Sequence, residues 1–236
     1  MYQWLSNVLK KEYIFVKCLK NDDKSKVVVY KHNKNNKKIV VRYIKTGEDV
    51  YEKLLKIKSD YLPQIYDVVR GESDTMVLEE YISGMTLGDV LESGLYTETG
   101  TKMVIASVCE GLEILHNNSI IHRDIKPDNI MVTDDGQIKI IDFNASKEYK
   151  EKKKEDTIIL GTTGYAAPEQ YGISQSDQRT DIYAVGVLIN VMLTGEHPSK
   201  TLCTGRMRKI VKKAVNINPA DRYQSCSELK EAIIKI

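Results

Sequence analysis

The sequence predicts an α+β fold in which a strand-rich first third precedes a mainly helical remainder. β-Branched residues cluster between positions 14 and 46, most densely at Val27–Val29 and Ile39–Val41, a composition typical of strands. After Gly84 the apolar residues recur at helical spacing instead. With 236 residues, the chain is long enough to bury the core of one domain.

Composition excludes several classes of protein. The 35 Lys and Arg are balanced by 33 Asp and Glu, so the charge does not favour a nucleic-acid binder. No apolar run approaches the roughly 18 residues that span a membrane. The four cysteines form no Cys-x-x-Cys pair, which argues against a zinc site or a disulfide framework. We therefore expect a cytoplasmic protein without a membrane span and without a nucleic-acid partner.

The first element is an amphipathic helix before residue 13, with Trp4, Leu5, Val8 and Leu9 at helical spacing. It lacks the apolar core and cleavage site of a signal peptide. We expect it to dock on the domain, and an anchor for a membrane or a partner is the alternative.

Strands are predicted between residues 14 and 46, interrupted by the polar turn His32–Lys37. A helix follows over residues 47–58, with Val50, Leu54 and Ile57 on one face. Residues 64–69 and 75–79 predict two more strands. Beyond Gly84 we expect four helices. A long amphipathic helix precedes His122, a buried helix covers residues 181–193, and two shorter helices end the chain.

Three blocks carry the chemistry. His122–Asn129 reads His-Arg-Asp-Ile-Lys-Pro-Asp-Asn, Ile140–Asn144 contains Asp142-Phe143, and Gly161–Glu169 ends in Ala-Pro-Glu. Their order and spacing resemble the catalytic, metal-binding and substrate-side loops of the eukaryotic-type (Hanks-type) Ser/Thr protein kinase family. The resemblance implies a bilobal fold with a small antiparallel sheet plus one helix and a larger helical lobe. We expect one kinase domain over residues 1–236, with an N-lobe at about 1–79, a hinge at 80–85 and a C-lobe at 86–236.

The resemblance also implies roles for side chains. Asp124 orients the substrate hydroxyl and accepts its proton, and Lys126 neutralises the γ-phosphate. Asn129 and Asp142 hold Mg²⁺ or Mn²⁺. Thr162 bonds back to Asp124 and Lys126.

Other residues have structural roles by the same resemblance. Asp181 accepts backbone N–H groups of the loop that holds His122 and Arg123. Glu169 pairs with Arg222, and Phe143 stacks with His122. Asn144 replaces the glycine that usually follows Asp-Phe. Apart from glycine, Asn is the residue type that best tolerates a positive φ.

The first third departs from the family pattern. Counting back from Val40 places Lys20, Asp22 and Ser25 where the glycine-rich loop has its three glycines. Glycine lets backbone N–H groups approach phosphates closely. We interpret the segment as a charged hairpin turn, and the alternative is a phosphate contact from Lys20, Lys24 or Lys26.

Arg42 stands where the family has its phosphate-binding lysine, and this exchange is not conservative. Val50 takes the place of the helix glutamate that pairs with that lysine, although Glu48, Asp49 and Glu52 lie nearby. Glu79 falls at the gatekeeper position. We hypothesise that Glu79 pairs with Arg42, because a lone buried carboxylate is costly.

The resemblance places the adenine of ATP between Val27 and Val40 on one side and Met131 on the other, with the backbone of Glu80 and Ile82 at its edge. Thr157, in the lysine-rich stretch after Ala145, is the first candidate for an activating phosphosite that pairs with Arg123. Thr162 and Thr163 are alternatives.

Three functions remain open. The first is a Ser/Thr protein kinase, slowed by the lost glycines and by Arg42, that acts with ATP on an unknown protein substrate. The second is a pseudokinase that serves as a nucleotide-binding or structural module for a regulatory partner. The third is a phosphotransferase for small molecules, which Lys126 and the Ala167–Glu169 segment disfavour.

Overall fold

A computed structural model describes residues 2–45, 50–149, 164–171 and 175–236. Within them the helices are α1 (Tyr2–Glu12), α2 (Val50–Leu54), α3 (Leu87–Glu92), α4 (Glu98–Asn117), α5 (Gln178–Thr194), α6 (Met207–Ala214) and α7 (Cys226–Ile234). The strands are β1 (Tyr13–Asn21), β2 (Ser25–His32), β3 (Lys38–Ile44), β4 (Ile65–Arg70), β5 (Thr75–Glu80), β6 (Gly84–Thr86), β7 (Ile120–Ile121), β8 (Ile130–Thr133), β9 (Ile138–Ile140) and β10 (Lys147–Glu148). The chain divides into two compact units, residues 1–83 and 84–236.

The first unit is built on an antiparallel sheet with the strand order β1-β2-β3-β5-β4. Val41 and Met76 lie on one face of it, where they pack with Leu5 and Leu9 of α1. The predicted docking of the first helix is therefore confirmed, although Trp4 is 64% exposed and does not share the buried face. Side chains alternate along a strand, so Arg42 projects from the opposite face of β3.

The helix predicted over residues 47–58 is shorter than expected at its end. It ends at Leu54, and the following turn closes with bonds from Lys56 N to Lys53 O (3.0 Å) and from Ile57 N to Leu54 O (3.0 Å). Such i→i−3 bonds are those of a tightening final turn. Residues 46–49 lie outside the described part of the chain.

The second unit is mainly helical. α4 buries the positions that the sequence pattern predicts, including Val104, Val108, Leu112 and Leu115. α5 is buried over most of its length, which explains its nearly uniform apolar sequence. Side-chain caps begin both helices, with Thr97 accepting from Gly100 N and Asp177 accepting from Arg179 N. Two small sheets, β6-β8-β9 and β10-β7, fix the loops between these helices.

No helix in the described residues combines the length and the apolar character that crossing a bilayer requires.

Candidate active site

The loop that starts at His122 is anchored by a buried carboxylate at the start of α5. Asp181 accepts hydrogen bonds from the backbone N–H of His122 (2.9 Å) and of Arg123 (2.7 Å). Arg123 has φ 68°, a conformation that a non-glycine residue adopts only when its surroundings enforce it. The hydrogen bonds predicted between this loop and Asp181 are present.

Sequence reasoning missed a third partner of that carboxylate. His116, in the last turn of α4, places Nε2 2.8 Å from Asp181 Oδ2. Burial raises the pKa of the Asp181 carboxyl, but the hydrogen bond and charge of His116, aided by His122 and the Arg123 N–H, lower it below its usual value overall. Asp181 therefore holds the loop as a carboxylate. The signal in the sequence was a histidine six residues before His122.

Asp124 lies at the centre of a compact polar cluster. The Asn129 amide nitrogen donates to the Asp124 carbonyl oxygen and to its Oδ2, both at 2.8 Å. Lys126 Nζ lies 3.1 Å from the same Oδ2. The turn Pro127–Asn129 brings Asn129 back towards Asp124, with proline at the first helical position, where no N–H is needed. The three residues predicted to act together are in contact.

Asp142 is positioned by an unusual backbone conformation. It has φ 64° and ψ 82°, and its Oδ1 accepts a hydrogen bond from Asn144 N at 3.4 Å. Asn144 itself is not among the residues of positive φ in the described chain. The left-handed residue here is Asp142, and Asn144 continues a short 3₁₀ turn, so the position needs no tolerance of a positive φ.

Backbone bonds join the Asp124 loop to the Asp142 loop. Ile141 N donates to Asn129 O at 2.9 Å, and His122 Nε2 lies 3.2 Å from Ile141 O. The rings of His122 and Phe143 pack edge to face, with centroids 5.4 Å apart. Burial lowers the pKa of His122 although Asp181, Asp124 and Asp142 raise it. Phe143 and a neutral His122 thus link the two loops.

The donor set fits a hard divalent cation. Because the Asn129 nitrogen faces Asp124, the amide oxygen of Asn129 faces the other way. The carboxylate of Asp142 supplies a second oxygen, and Mg²⁺ prefers one or two such ligands together with phosphate and water. The described residues contain no group of three or more His, Cys, Asp or Glu able to hold a metal. The protein side of the site thus suits a cation shared with a phosphate.

The Ala-Pro-Glu segment is fixed to the same loop. Gln170 Nε2 donates to Arg123 O at 2.8 Å, and Ala167 N donates to Gln170 Oε1 at 3.0 Å. Sequence reasoning missed Gln170, although it directly follows the Ala-Pro-Glu segment.

Glu169 forms the predicted buried pair with Arg222, with distances of 2.7 Å and 2.9 Å between nitrogens and carboxylate oxygens. Thr180 Oγ1 also donates to Glu169, at 2.9 Å. Thr162 lies outside the described residues, as do Thr157 and Thr163.

The first unit contains Arg42 and Glu79, which were predicted to form a pair. Arg42 Nε donates to Glu79 Oε1 at 2.7 Å, and the two side chains are only 6% and 4% exposed. Arg42 lies opposite Val77 in the β3–β5 register, so Glu79 is two residues along on the same face and within reach of a long side chain. The hypothesis that Glu79 pairs with Arg42 is confirmed.

Glu52 of α2, an alternative partner for Arg42, pairs with a different arginine. Glu52 Oε1 lies 2.8 Å from Arg70 Nη2 at the surface. Glu48 and Asp49 fall outside the described residues.

Val27 and Val40 are buried together on the Arg42 face. Glu80 ends β5, where its N–H donates to Gln64 O at 2.8 Å and its carboxylate accepts from Gln64 N at 3.0 Å. Ile82 follows the strand and is half-buried, as is Met131, which pairs with Thr86 across β6 and β8. Their predicted contacts with adenine stay predictions.

The segment in place of the glycine-rich loop is a self-contained hairpin turn. Asp22 Oδ1 accepts from Lys24 N (2.9 Å) and Ser25 N (2.8 Å), and Asp22 N donates to Ser25 O (3.0 Å). Lys20 Nζ lies 3.3 Å from Asp22 Oδ2. The Ser25 N–H bond, followed by those of Lys24 and Lys20, lowers the pKa of Asp22. The interpretation as a charged hairpin turn is confirmed, and this turn does not fit a backbone cradle for phosphate.

Comparison with known proteins defines the class. The chain matches the family described as protein kinase domain over residues 13–236 and belongs to it. This confirms the resemblance and the predicted fold class.

Individual relatives are bacterial Ser/Thr kinases. Serine/threonine-protein kinase PknB of Mycobacterium tuberculosis is 29% identical over 205 residues, 73% of this chain and 32% of the relative. A probable serine/threonine-protein kinase of Clostridium perfringens is 29% identical over 228 residues, 86% of this chain and 33% of the relative. PknL of Mycobacterium tuberculosis is 34% identical over 145 residues, 61% and 36% of the two chains. The chain spans about a third of the length of these relatives.

Proposed function

We propose that this chain is a serine/threonine protein kinase that transfers the γ-phosphate of ATP to a hydroxyl group of a protein substrate. The observation that carries the proposal is the cluster in which Asp124 contacts both Asn129 and Lys126. A candidate base, a cation for the transferred group and an oxygen ligand for a metal therefore lie together. Phosphoryl transfer depends mainly on such positioning and on electrostatic stabilisation.

The roles follow from the chemistry of each side chain. Asp124 orients the substrate hydroxyl and accepts its proton as the oxygen bonds to phosphorus and the bond to the β-phosphate oxygen breaks. Lys126 offsets the charge on the transferred group. Asn129 and Asp142 would hold Mg²⁺ or Mn²⁺, which neutralises phosphate charge when bound. Asp181 and Gln170 are positioning residues, since both bond to the backbone of the loop.

A second function is favoured by one observation in the first unit. The turn in place of the glycine-rich loop donates its Lys24 and Ser25 amides to the Asp22 carboxylate, and Arg42 stands in place of the phosphate-binding lysine. Losing a preorganised charge-stabilising contact costs roughly 10²–10³ in rate. A module that binds nucleotide or a partner without turnover is therefore the alternative.

Transfer of phosphate to the protein itself or to a generic acceptor protein tests the proposal. Purified chain is incubated with ATP and either Mg²⁺ or Mn²⁺, and intact mass is measured beside Asp124→Asn. We expect added mass of one or more phosphates in the wild type and a rate at least about 100-fold lower in the variant. No incorporation with either metal, while nucleotide still binds, would establish the non-catalytic module instead.

A further inference from the structure

A buried cluster in the second unit joins two cysteines to a histidine. Cys109 and His116 are seven residues apart on α4, a spacing that places both on the same face of the helix. Cys226 begins α7, which packs against α4. Its Sγ lies 3.8 Å from His116 Nδ1, and its thiol hydrogen-bonds the thiol of Cys109. Two buried free thiols are therefore in contact, with an imidazole beside the sulfur of one of them.

Asp181 orients the imidazole of His116. The Nε2 atom lies 2.8 Å from Asp181 Oδ2, so this nitrogen carries a proton, and in the neutral ring Nδ1 accepts from the Cys226 thiol. A nucleophile beside a base that a third group orients is the arrangement that activates thiols for attack. The proposed phosphoryl transfer uses neither Cys226 nor this nitrogen, so the cluster has chemistry of its own.

The Cys226 thiol needs such a base in order to react. The hydrogen bond to Cys109 and burial raise the pKa of Cys226 well above its ordinary value. Because the thiolate is the reactive form, a thiol of high pKa reacts slowly by itself. A base that takes the proton during the attack makes a free thiolate unnecessary.

A polar cavity of about 330 Å³ has His116 in its wall. Among the described residues its lining also includes Gln178 and Gln224, which are exposed. A water molecule occupies about 30 Å³ in the liquid, so the cavity has room for a small neutral oxidant such as hydrogen peroxide. A peroxide that enters it reaches the ring that contacts Cys226.

We propose that Cys109 and Cys226 are a redox-active dithiol that a peroxide converts to a disulfide, with His116 as the base. The Cys226 sulfur attacks one peroxide oxygen, the O–O bond breaks, and the thiol proton passes through His116 to the other oxygen, which leaves as water. The Cys109 sulfur then attacks the sulfur of the resulting sulfenic acid, its S–O bond breaks, and a second water leaves with the Cys109 proton. Two thiols and one peroxide thus give one disulfide and two water molecules.

Oxidation of the folded protein followed by peptide mapping tests the proposal. The reference protein carries Cys18→Ser, because Cys18 is exposed and can link two chains. It is treated with hydrogen peroxide while folded, its free thiols are blocked with N-ethylmaleimide, and it is then unfolded and digested. We expect a peptide pair joined through Cys109 and Cys226, a loss of two hydrogen atoms in intact mass before blocking, and reversal by dithiothreitol.

Three variants of the reference protein separate the roles, and circular dichroism checks that each is folded. Cys203→Ser is the matched control, since Cys203 is also a buried free thiol, and it should oxidise like the reference. Cys109→Ser should form no disulfide and should accumulate a sulfenic acid on Cys226, which dimedone traps. His116→Gln keeps a donor for Asp181 but removes the base, so the disulfide should form at least about tenfold more slowly.

Several results would overturn the proposal. One is recovery of Cys109 and Cys226 as blocked thiols after peroxide treatment of the folded reference protein, a result that needs no variant to interpret. Another is a disulfide that includes Cys203 in place of either residue. An equal rate for His116→Gln and the reference would remove His116 as the base. Because none of these measurements depends on phosphate incorporation, the dithiol and the proposed kinase function are tested separately.

Discussion

The two compact units differ in how they relate to the kinase pattern. In residues 84–236 the predicted contacts of Asp124, Asp181 and Glu169 are present as the family pattern implies. In residues 1–83 the pattern's glycines and lysine are replaced, yet the replacements satisfy one another: Arg42 pairs with Glu79, and Asp22 caps its own turn. In the first unit the residues that replace the pattern therefore form contacts of their own.

Among the described residues, each unit contains one buried ion pair of arginine with glutamate, which makes the comparison measurable. Arg222 contacts Glu169 through two nitrogens and also donates to the carbonyl oxygens of Arg179, Asn216 and Ile217. Arg42 contacts Glu79 through Nε at 2.7 Å. Removing one partner of a buried pair is costly because the other charge is left unpaired in a poorly solvated site.

The largest effect is expected from Arg222→Met. It leaves Glu169 charged and buried and deprives three carbonyl oxygens of a donor, so the free energy of unfolding should fall by about 3–5 kcal/mol. Urea unfolding measures it. Arg208→Met is the matched control, since Arg208 is exposed on α6, and its effect should stay within about 0.5 kcal/mol. A loss below about 1 kcal/mol for Arg222→Met would contradict the assigned role.

In the first unit, Glu79→Leu should lower the free energy of unfolding by about 3 kcal/mol, because Arg42 keeps its charge. The double variant Arg42→Met with Glu79→Leu should recover at least half of that loss, since hydrophobic pairs often replace buried ion pairs without penalty. Urea unfolding of the single and double variants forms a double-mutant cycle.

Glu52→Leu is the control for Glu79→Leu. Glu52 pairs with Arg70, and the two side chains are 52% and 51% exposed, so the expected change is below about 1 kcal/mol. Equal effects at Glu52 and Glu79 would show that burial of the pair is not what stabilises the first unit.

Sequence reasoning succeeded where the family pattern fixed the position of both partners. The spacing of Asp124 and Asn129 predicted their cluster, and the gatekeeper position of Glu79, with the cost of a lone buried carboxylate, predicted its pair with Arg42. Long-range pairs outside any motif were missed. His116 meets Asp181 across 65 positions, and this contact depends on how α4 packs against α5.

Sequence reasoning also did not predict local conformation. Nothing in the sequence indicated that Asp142, two residues before Asn144, would take the left-handed conformation. Trp4 had the right spacing for the buried face of α1, yet the buried residues of that helix are Leu5 and Leu9, with Tyr2 packed beside them. The spacing of apolar residues predicts a helix, whereas the neighbouring surface decides which of them it buries.

The smallest predicted effect is a dependence of stability on pH that arises in the second unit. Burial lowers the pKa of His122 in the folded chain, whereas in the unfolded chain a histidine titrates near its ordinary value of about 6.5. Below that pH the unfolded state binds a proton that the folded state does not. The free energy of unfolding should therefore fall as pH decreases from about 6.5 towards the folded pKa, by at most about 1.4 kcal/mol per pH unit.

His122→Phe removes this proton and should flatten the dependence between about pH 6.5 and 5, although its stability at neutral pH will be lower because His122 bonds to Asp124 N and Ile141 O. The quantity to compare is the slope from urea unfolding across that range, not the stability at one pH. His32→Gln, which alters a histidine of the first unit near Glu12, should leave the slope of the wild type in place. If His122→Phe and the wild type have the same slope, the acid sensitivity does not arise at the loop that starts at His122, and the contrast between the units does not extend to protonation.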